Sequence, residues 1–165
     1  MRRPLWLLSL GLVLLGIGLV AVGFGVRLNV MRSAPLGLYR MGALNGVPTY
    51  DQLVLFWTEE AARLMRERHG WMARQWDIVK PIAALPGDRV CHEPSGIVVY
   101  RRNGEVKPYG PVLLDDAHPS AGGCLTVPRR HAYLASPHVG SLDSRYVGCV
   151  PFEAVRGHAQ ALWTW

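Results

Sequence analysis

The sequence predicts a mainly β domain that carries one short inserted helix and follows a single N-terminal transmembrane helix. The 18 glycines and 12 prolines favour a turn-rich β structure over a helical bundle. From residue 77 onward, short apolar segments alternate with turn signals, as they do in antiparallel β proteins. The chain begins, by contrast, with a long apolar run that contains no charged side chain.

This N-terminal run covers residues 4–26. Its 23 residues suffice to span the hydrocarbon core as a helix and exceed the apolar region of a typical signal peptide. We therefore expect residues 1–27 to form a cytoplasmic tip and an uncleaved anchor. A cleaved signal peptide is the alternative, because Ala-Val-Gly at residues 21–23 has small-x-small spacing. Arg2 and Arg3 precede the run, which favours an inside N-terminus and an outside domain.

The remaining residues, 28–165, are enough for one domain with a hydrophobic core. The net charge of +6 comes without a Lys/Arg run interleaved with aromatics, so we expect a lipid bilayer rather than nucleic acid as the partner. No HExxH or CxxC spacing occurs, and neither a metal nor another cofactor is expected. In an oxidising compartment, the three cysteines suggest one disulfide and one free thiol.

The elements of this domain are predicted from local signals. Thr58 is a plausible N-cap for a helix over residues 59–69, whose charged side chains we interpret as a solvated face. Asn103 and Gly104 predict a hairpin turn, and Pro86-Gly87-Asp88 predicts a structural β-turn. The tail is expected to form a final strand or an edge lying on the membrane surface. The predicted strands begin at Leu38 and cover 52–57, 78–85, 89–91, 97–101, 125–127, 131–135, 146–150 and 159–165.

Two side chains suggest chemistry, although each also has an ordinary interpretation. Ser33 precedes Ala-Pro, as many turn serines do. Lys80 lies inside an apolar segment, where a lysine either points to solvent or is desolvated. Desolvation lowers the pKa of a lysine and makes its neutral amine a usable base near neutral pH. Such a base beside a serine hydroxyl would activate it as a nucleophile.

Three short sequence motifs, called boxes below, are together specific enough to indicate a protein family. They are S-x-P-x-G-L-Y from Ser33, K-P-x-x-A-L-P-G-D from Lys80, and S-x-D-S-R-Y-V-G from Ser141. In this order behind an apolar run, they resemble the type I signal peptidase family of Ser/Lys proteases. The opening N-x-x-x-S-x-P-x-G-L-Y and the single domain look more like the conjugative-transfer branch, whose peptidases mature and cyclise pilin subunits. The resemblance covers roughly residues 29–157.

The resemblance implies a role for five residues of these boxes. It makes Ser33 the acylating nucleophile and Lys80 the general base. Ser141 matches the family serine that hydrogen-bonds the lysine amine and orients it. Asp143 and Arg145 match an ion pair that supports the site, and the residues by themselves also indicate a local loop clamp. Residues 28–165 would then be a signal-peptidase-like catalytic domain.

The resemblance also implies antiparallel β-sheets with a barrel-like core and an active site near the membrane. The domain would lie on the periplasmic face of the bacterial inner membrane and bind its precursor peptide as an extended strand. Cys91 and Cys124 fall where relatives often carry a cysteine pair, so we expect a disulfide between them. Cys149 stands where the family tends to have proline and is expected to be the free thiol.

We therefore hypothesise a membrane-anchored serine endopeptidase of conjugative transfer that processes, by hydrolysis or cyclisation, a pilin-like precursor. A general type I signal peptidase that cleaves secretory signal peptides is the first alternative. The second is a non-catalytic bitopic assembly scaffold of the same fold. Met31 keeps the scaffold open as an alternative, because the family often has Ser or Thr there, whose hydroxyl can help stabilise the oxyanion.

Overall fold

The computed structural model of the chain describes residues 5–30, 32–69, 77–93, 95–112 and 123–165. Within these ranges the structure is mainly β, as predicted. The helices are α1 (Leu5–Gly23), α2 (Glu59–His69) and the single turn α3 (Ser144–Val147), and a 3-10 turn covers Phe152–Ala154. The strands are β1 (Val26–Asn29), β2 (Gly37–Gly42), β3 (Leu53–Phe56), β4 (Ile78–Ala84), β5 (Arg89–Glu93), β6 (Gly96–Tyr100), β7 (Val106–Tyr109), β8 (Gly123–Thr126), β9 (His131–Leu134), β10 (Val150–Pro151) and β11 (Val155–Thr164).

The strands form two antiparallel sheets. The larger has the order β1-β2-β11-β3-β4-β9-β10, and the smaller has the order β7-β6-β5-β8. The tail of the chain is part of β11, which lies between β2 and β3 in the strand order. The chain leaves α1 directly into β1, a strand that the sequence analysis did not predict.

Two hydrophobic clusters lie on opposite faces of strands β4 and β9, because successive side chains of a strand point to opposite sides. The first cluster is covered by α2, and the second is covered by the smaller sheet. The first includes Val54, Phe56, Ala61, Leu64, Met65, Ile78, Ile82, Ala132, Leu134, Leu142, Tyr146 and Val150. The second includes Ala83, Ala84, Val90, Ile97, Val99, Val127, Tyr133 and Ala135.

Helix α2 begins where its cap predicts. The backbone N–H of Ala61 donates to the Thr58 hydroxyl at 3.1 Å, which satisfies one of the free N–H groups of the first turn. On the outer face, Arg63 pairs with Glu60 and Glu67 and all three side chains are about half exposed. This exposure confirms the prediction of a solvated face. Exposed ion pairs of this kind contribute little to stability. Arg68 belongs to the same predicted helix, but its side chain lies outside the described residues.

The turn that follows β4 is structural, as predicted. Gly87 has φ +87°, and the N–H of Asp88 donates to the carbonyl of Leu85 at 3.0 Å. The buried Asp88 carboxylate also accepts bonds from the Leu85 N–H (2.7 Å), the Arg102 N–H (2.8 Å) and the Tyr50 hydroxyl (3.0 Å). The Asn103-Gly104 hairpin joins β6 to β7, again as predicted.

The predicted strand over residues 146–150 is wrong. This segment forms α3 instead, and only Val150 and Pro151 pair as a strand. The Asp143 carboxylate accepts a hydrogen bond from the Arg145 N–H, which starts a helical turn. Gly148 then ends the turn with φ +71°. Capping by one side chain therefore overrides the apolar character of the segment.

Helix α1 consists of 19 residues, none of them charged, and its described apolar side chains are largely exposed. Among the residues that the structure describes, no helix combines the length and the apolar character needed to cross a membrane. The transmembrane anchor thus stays a prediction.

Candidate active site

The main chain that follows Ser33 is held by side chains from β1 and β2. The Asn29 amide, at the end of β1, donates to the carbonyls of Ala34 (3.2 Å) and Pro35 (3.0 Å). The Tyr39 hydroxyl, in β2, donates to the same Pro35 carbonyl at 2.8 Å. The Asn and the Tyr of the opening N-x-x-x-S-x-P-x-G-L-Y pattern therefore have a physical role: they fix the turn that carries Ser33, which is itself partly buried.

The glycine of the first box is explained by strand packing. Gly37 pairs with Thr164 of β11. A Cβ at Gly37 would overlap the carbonyl oxygen of Trp163. Only glycine lets β11 approach the chain this closely directly after the turn that carries Ser33.

Lys80 lies in β4, where its side chain is only 4% exposed. Desolvation by burial lowers the pKa of Lys80 from its usual 10.5 to about 8. The negative charge of Asp143 raises this pKa, and the positive charge of Arg145 lowers it further. Of the two possibilities that the sequence left open for Lys80, solvent-facing or desolvated, the structure shows the desolvated one. Such an amine is partly neutral near neutral pH and able to accept a proton.

Ser136 follows the end of β9, the strand that pairs with the strand carrying Lys80. Ile82 of β4 pairs with Leu134 of β9, and the N–H of Ala135 donates to the carbonyl of Pro81 at 3.2 Å. Extended by one residue beyond these contacts, this register brings Ser136 next to Lys80. Directly opposed residues of an antiparallel pair have Cβ atoms about 4.5–5.5 Å apart and share one face.

Ser136 also contacts the serine of the first box. Its hydroxyl donates to the carbonyl oxygen of Ser33 at 2.8 Å. The side chain is buried, with 1% exposure. The sequence analysis missed Ser136 because it belongs to none of the three boxes. No pattern in the sequence places it beside Lys80, because its position depends on the β4–β9 register and on a contact with a residue far away in the chain.

Asp143 and Arg145 form the ion pair that the sequence indicated. Both side chains are fully buried, and the guanidinium binds both carboxylate oxygens, at 2.9 and 2.8 Å. The Asp143 carboxylate accepts the N–H of Ser136 (3.1 Å), and Arg145 donates to the carbonyls of Ser136 (3.2 Å) and His138 (2.9 Å). The pair therefore clamps the loop that carries Ser136, and its two charges act on Lys80 in opposite directions.

Ser141 is buried at 3% exposure, but its hydroxyl has no hydrogen-bond partner among the described residues. The bond to the Lys80 amine that the resemblance implies is therefore not formed here. The Tyr133 hydroxyl is likewise buried without a described partner, and burial raises its pKa. A buried hydroxyl without a hydrogen-bond partner lowers the stability of the folded state, and this applies to both side chains.

The cysteines lie outside this cluster or at its margin. Cys91 of β5 and Cys124 of β8 are cross-strand partners and form a disulfide, the pairing expected from the resemblance. Cys149 is free and half-buried, and burial raises its pKa to about 11, so it is a neutral thiol at pH 7. Met31, which left the oxyanion donor open, lies outside the described residues.

Comparison with known proteins gives the family. Residues 4–165 match the family described as signal peptidase, peptidase S26. The conjugal transfer protein TraF of Agrobacterium tumefaciens (strain 15955) is 32% identical over 152 residues, which cover 85% of this chain and 83% of TraF. TraF of Agrobacterium fabrum is 31% identical over 173 residues, which cover 93% and 91%. A crystal structure of signal peptidase I from Enterococcus faecalis covers 68% of this chain and 97% of its own, with 18% identity and a TM-score of 0.42. The chain belongs to the signal peptidase family, peptidase S26.

Proposed function

We propose that this chain is a membrane-anchored serine endopeptidase in which Ser33 is the nucleophile and Lys80 is the general base. The observation that carries the proposal is the burial of Lys80, which brings its pKa to about 8. Ser136, which the extended β4–β9 register brings next to this lysine, donates a hydrogen bond to the carbonyl of Ser33. Ser136 therefore lies next to the proposed base and is hydrogen-bonded to the main chain of the proposed nucleophile.

The reaction follows from these two groups. The Ser33 oxygen attacks the scissile carbonyl while the neutral Lys80 amine takes the serine proton. The resulting ammonium returns this proton to the leaving amine, the peptide bond breaks, and an acyl-enzyme remains. Water then hydrolyses the ester, or the N-terminal amine of the substrate attacks it and closes a cyclic product. The N–H of Ser33 is the donor we assign to the oxyanion.

The electrostatic balance around Lys80 supports its role as a base. With a pKa of about 8, roughly a tenth of the amine is neutral at pH 7. Asp143 alone would favour the ammonium, but both of its carboxylate oxygens accept hydrogen bonds from the Arg145 guanidinium, one from Nε and one from Nη2. The ion pair therefore leaves desolvation as the dominant effect on the lysine.

The substrate we propose is a pilin-like precursor of conjugative transfer, bound as an extended strand. The support is the likeness over most of the chain to relatives named conjugal transfer proteins. A general signal peptidase that cleaves secretory precursors is the alternative within the same family. Rescue of secretion in a cell depleted of signal peptidase would favour that alternative.

We further propose that residues 1–27 anchor the domain on the periplasmic face of the bacterial inner membrane. The exposed apolar side chains of α1 support this placement. Next to α1, Leu28, Leu38 and Trp163 lie in one cross-strand row of β1, β2 and β11, and Leu28 and Trp163 are more than half exposed. Exposed tryptophans are typical of membrane–water interfaces, and a disulfide is typical of an oxidising compartment.

The test is the intact mass of a candidate pilin precursor from the same genetic element, co-expressed with the wild type or with single variants. Wild type should trim the precursor, whereas Ser33→Ala and Lys80→Ala should leave it intact. Lys107→Ala is the matched control and should trim normally, because Lys107 is the other lysine of the chain and pairs with Asp51 at the surface.

The masses also separate the alternatives. A product one water lighter than the trimmed linear chain identifies cyclisation. Full processing by Ser33→Ala or Lys80→Ala would refute the proposed dyad. An unprocessed precursor with every variant, including the wild type, would favour the assembly scaffold.

A further inference from the structure

We infer that Ser136 is a positioning residue: its hydroxyl fixes the main chain of Ser33 within reach of Lys80. The inference rests on the proposed function, because it takes Ser33 and Lys80 as the reacting groups. Ser136 itself would touch neither the substrate nor the reacting atoms, and it would act through the carbonyl of Ser33.

The hydrogen bonds of Ser136 define the direction of its hydroxyl. The N–H of His138 donates to the Ser136 oxygen at 3.2 Å, while the hydroxyl hydrogen is directed to the carbonyl of Ser33 at 2.8 Å. Because the side chain is 1% exposed, water does not compete for this bond. The bond joins positions 103 residues apart and connects the loop after β9 to the turn before β2.

Ser136 is a fixed point because the buried ion pair holds its main chain on both sides. Asp143 accepts its N–H at 3.1 Å, and Arg145 donates to its carbonyl at 3.2 Å. Both charged side chains are fully buried, so this clamp is shielded from solvent. The ion pair therefore fixes the main chain of Ser136, and the Ser136 hydroxyl in turn fixes the carbonyl of Ser33.

The cross-strand register gives this contact its importance. The β4–β9 register, extended one residue beyond the Ala135–Pro81 contact, puts Ser136 next to Lys80 on the same face. Asn29 and Tyr39 hold the next two carbonyls, those of Ala34 and Pro35, but they lie on β1 and β2 rather than opposite the lysine. Loss of the Ser136 hydroxyl would thus let the nucleophile drift from its base without altering either group. A misplacement of about 1 Å can lower a rate by roughly 100-fold.

The test compares Ser136→Ala with Ser144→Ala in the detergent-solubilised full chain. Ser144 is the matched control: it is equally buried, and its hydroxyl accepts one backbone bond, from the N–H of Leu134 at 2.9 Å. We expect Ser136→Ala to lower kcat for precursor cleavage by about 10- to 100-fold with KM changed less than about twofold. Ser144→Ala should keep kcat within about threefold of the wild type. Equal kcat values for the two variants would overturn the inference.

Hydrogen exchange of the backbone amides of Arg32, Ser33, Ala34 and Leu36 makes the test independent of activity. Ser136→Ala should accelerate exchange there by about tenfold relative to both the wild type and Ser144→Ala, because the turn has lost its tether. Unchanged exchange in Ser136→Ala would overturn the inference. If the wild type cleaves no precursor, the proposed function fails, whereas faster exchange in Ser136→Ala alone still supports the tether.

Discussion

Replacing Lys80 by methionine should stabilise the folded chain at neutral pH while abolishing the proposed activity. Lys80 is 4% exposed, and desolvation lowers its pKa from 10.5 to about 8. A decrease of about 2.5 pKa units corresponds to roughly 3 kcal/mol of unfavourable free energy for the protonated side chain in the folded state. Methionine fills a similar volume without a charge, so Lys80→Met should recover much of this free energy.

The lowered pKa also determines the pH range of the effect. Below about pH 8, Lys80 is protonated in both the folded and the unfolded chain, and the full cost of burial is present. Between about pH 8 and pH 10.5, the folded state loses the proton first and the cost declines. Above pH 10.5 both states are neutral and the cost disappears. The stability gained by Lys80→Met should therefore be largest near pH 7 and should fall as the pH rises.

The assay is chemical denaturation of the detergent-solubilised chain at pH 7 and pH 10.5. Each variant is compared with the wild type at the same pH, so that titration of other groups cancels. Lys107→Met serves as the control, because the hydrogen bond to Asp51 raises the pKa of Lys107 and its removal should produce no gain at pH 7. A Lys80→Met variant less stable than the wild type at pH 7, or a gain equal at both pH values, would refute the reasoning.

Three further perturbations test the framework of the site. Gly37→Ala should lower the free energy of unfolding by about 1–3 kcal/mol, because the new methyl group overlaps the Trp163 carbonyl; an unchanged melting temperature would contradict this. Asp143→Asn leaves a buried guanidinium without its counter-charge and should cost about 3–5 kcal/mol in chemical denaturation, whereas a cost below about 1 kcal/mol would show the pair is not essential. Replacing Cys91 and Cys124 by serine should cost about 2–4 kcal/mol, and a midpoint insensitive to reductant in the wild type would argue against the disulfide.

Elements defined by local chemistry were predictable from the sequence. Thr58 satisfies the first turn of α2, and Asn103-Gly104 supplies the positive φ that the β6–β7 hairpin needs. The strands from β2 to β9 follow apolar segments that turn residues separate. In each case, residues within a few positions of one another determine the structure.

Two elements were predicted wrongly or missed, because a long-range strand pairing or the effect of a single side chain determines their structure. The segment after Asp143 is apolar enough for a strand, yet the Asp143 side chain caps a helical turn. Strand β1 is stabilised by pairing with β2, and it directly follows an apolar run that obscured its beginning. Neither effect leaves a periodic pattern in the sequence.

The candidate site shows the same division. The three sequence boxes identified Ser33 and Lys80 as candidates, but the apolar segment around Lys80 left open whether its side chain is buried, which the structure shows. Ser136 escaped notice because its role depends on the β4–β9 register and on a contact across 103 residues. The unpaired hydroxyl of Ser141 was equally invisible, since the sequence gives the residue but not its hydrogen bonds.

The most direct test of the proposed peptidase is the titration of Lys80 by NMR. The chain contains two lysines, so lysine labelled with ¹³C at Cε gives one signal for Lys80 and one internal control for Lys107. We predict a midpoint near pH 8 for Lys80 and one above pH 10.5 for Lys107. Assignment follows from the signal lost in Lys80→Met. If both lysines titrate above pH 10, Lys80 is a protonated ammonium at neutral pH and cannot take the proton from Ser33.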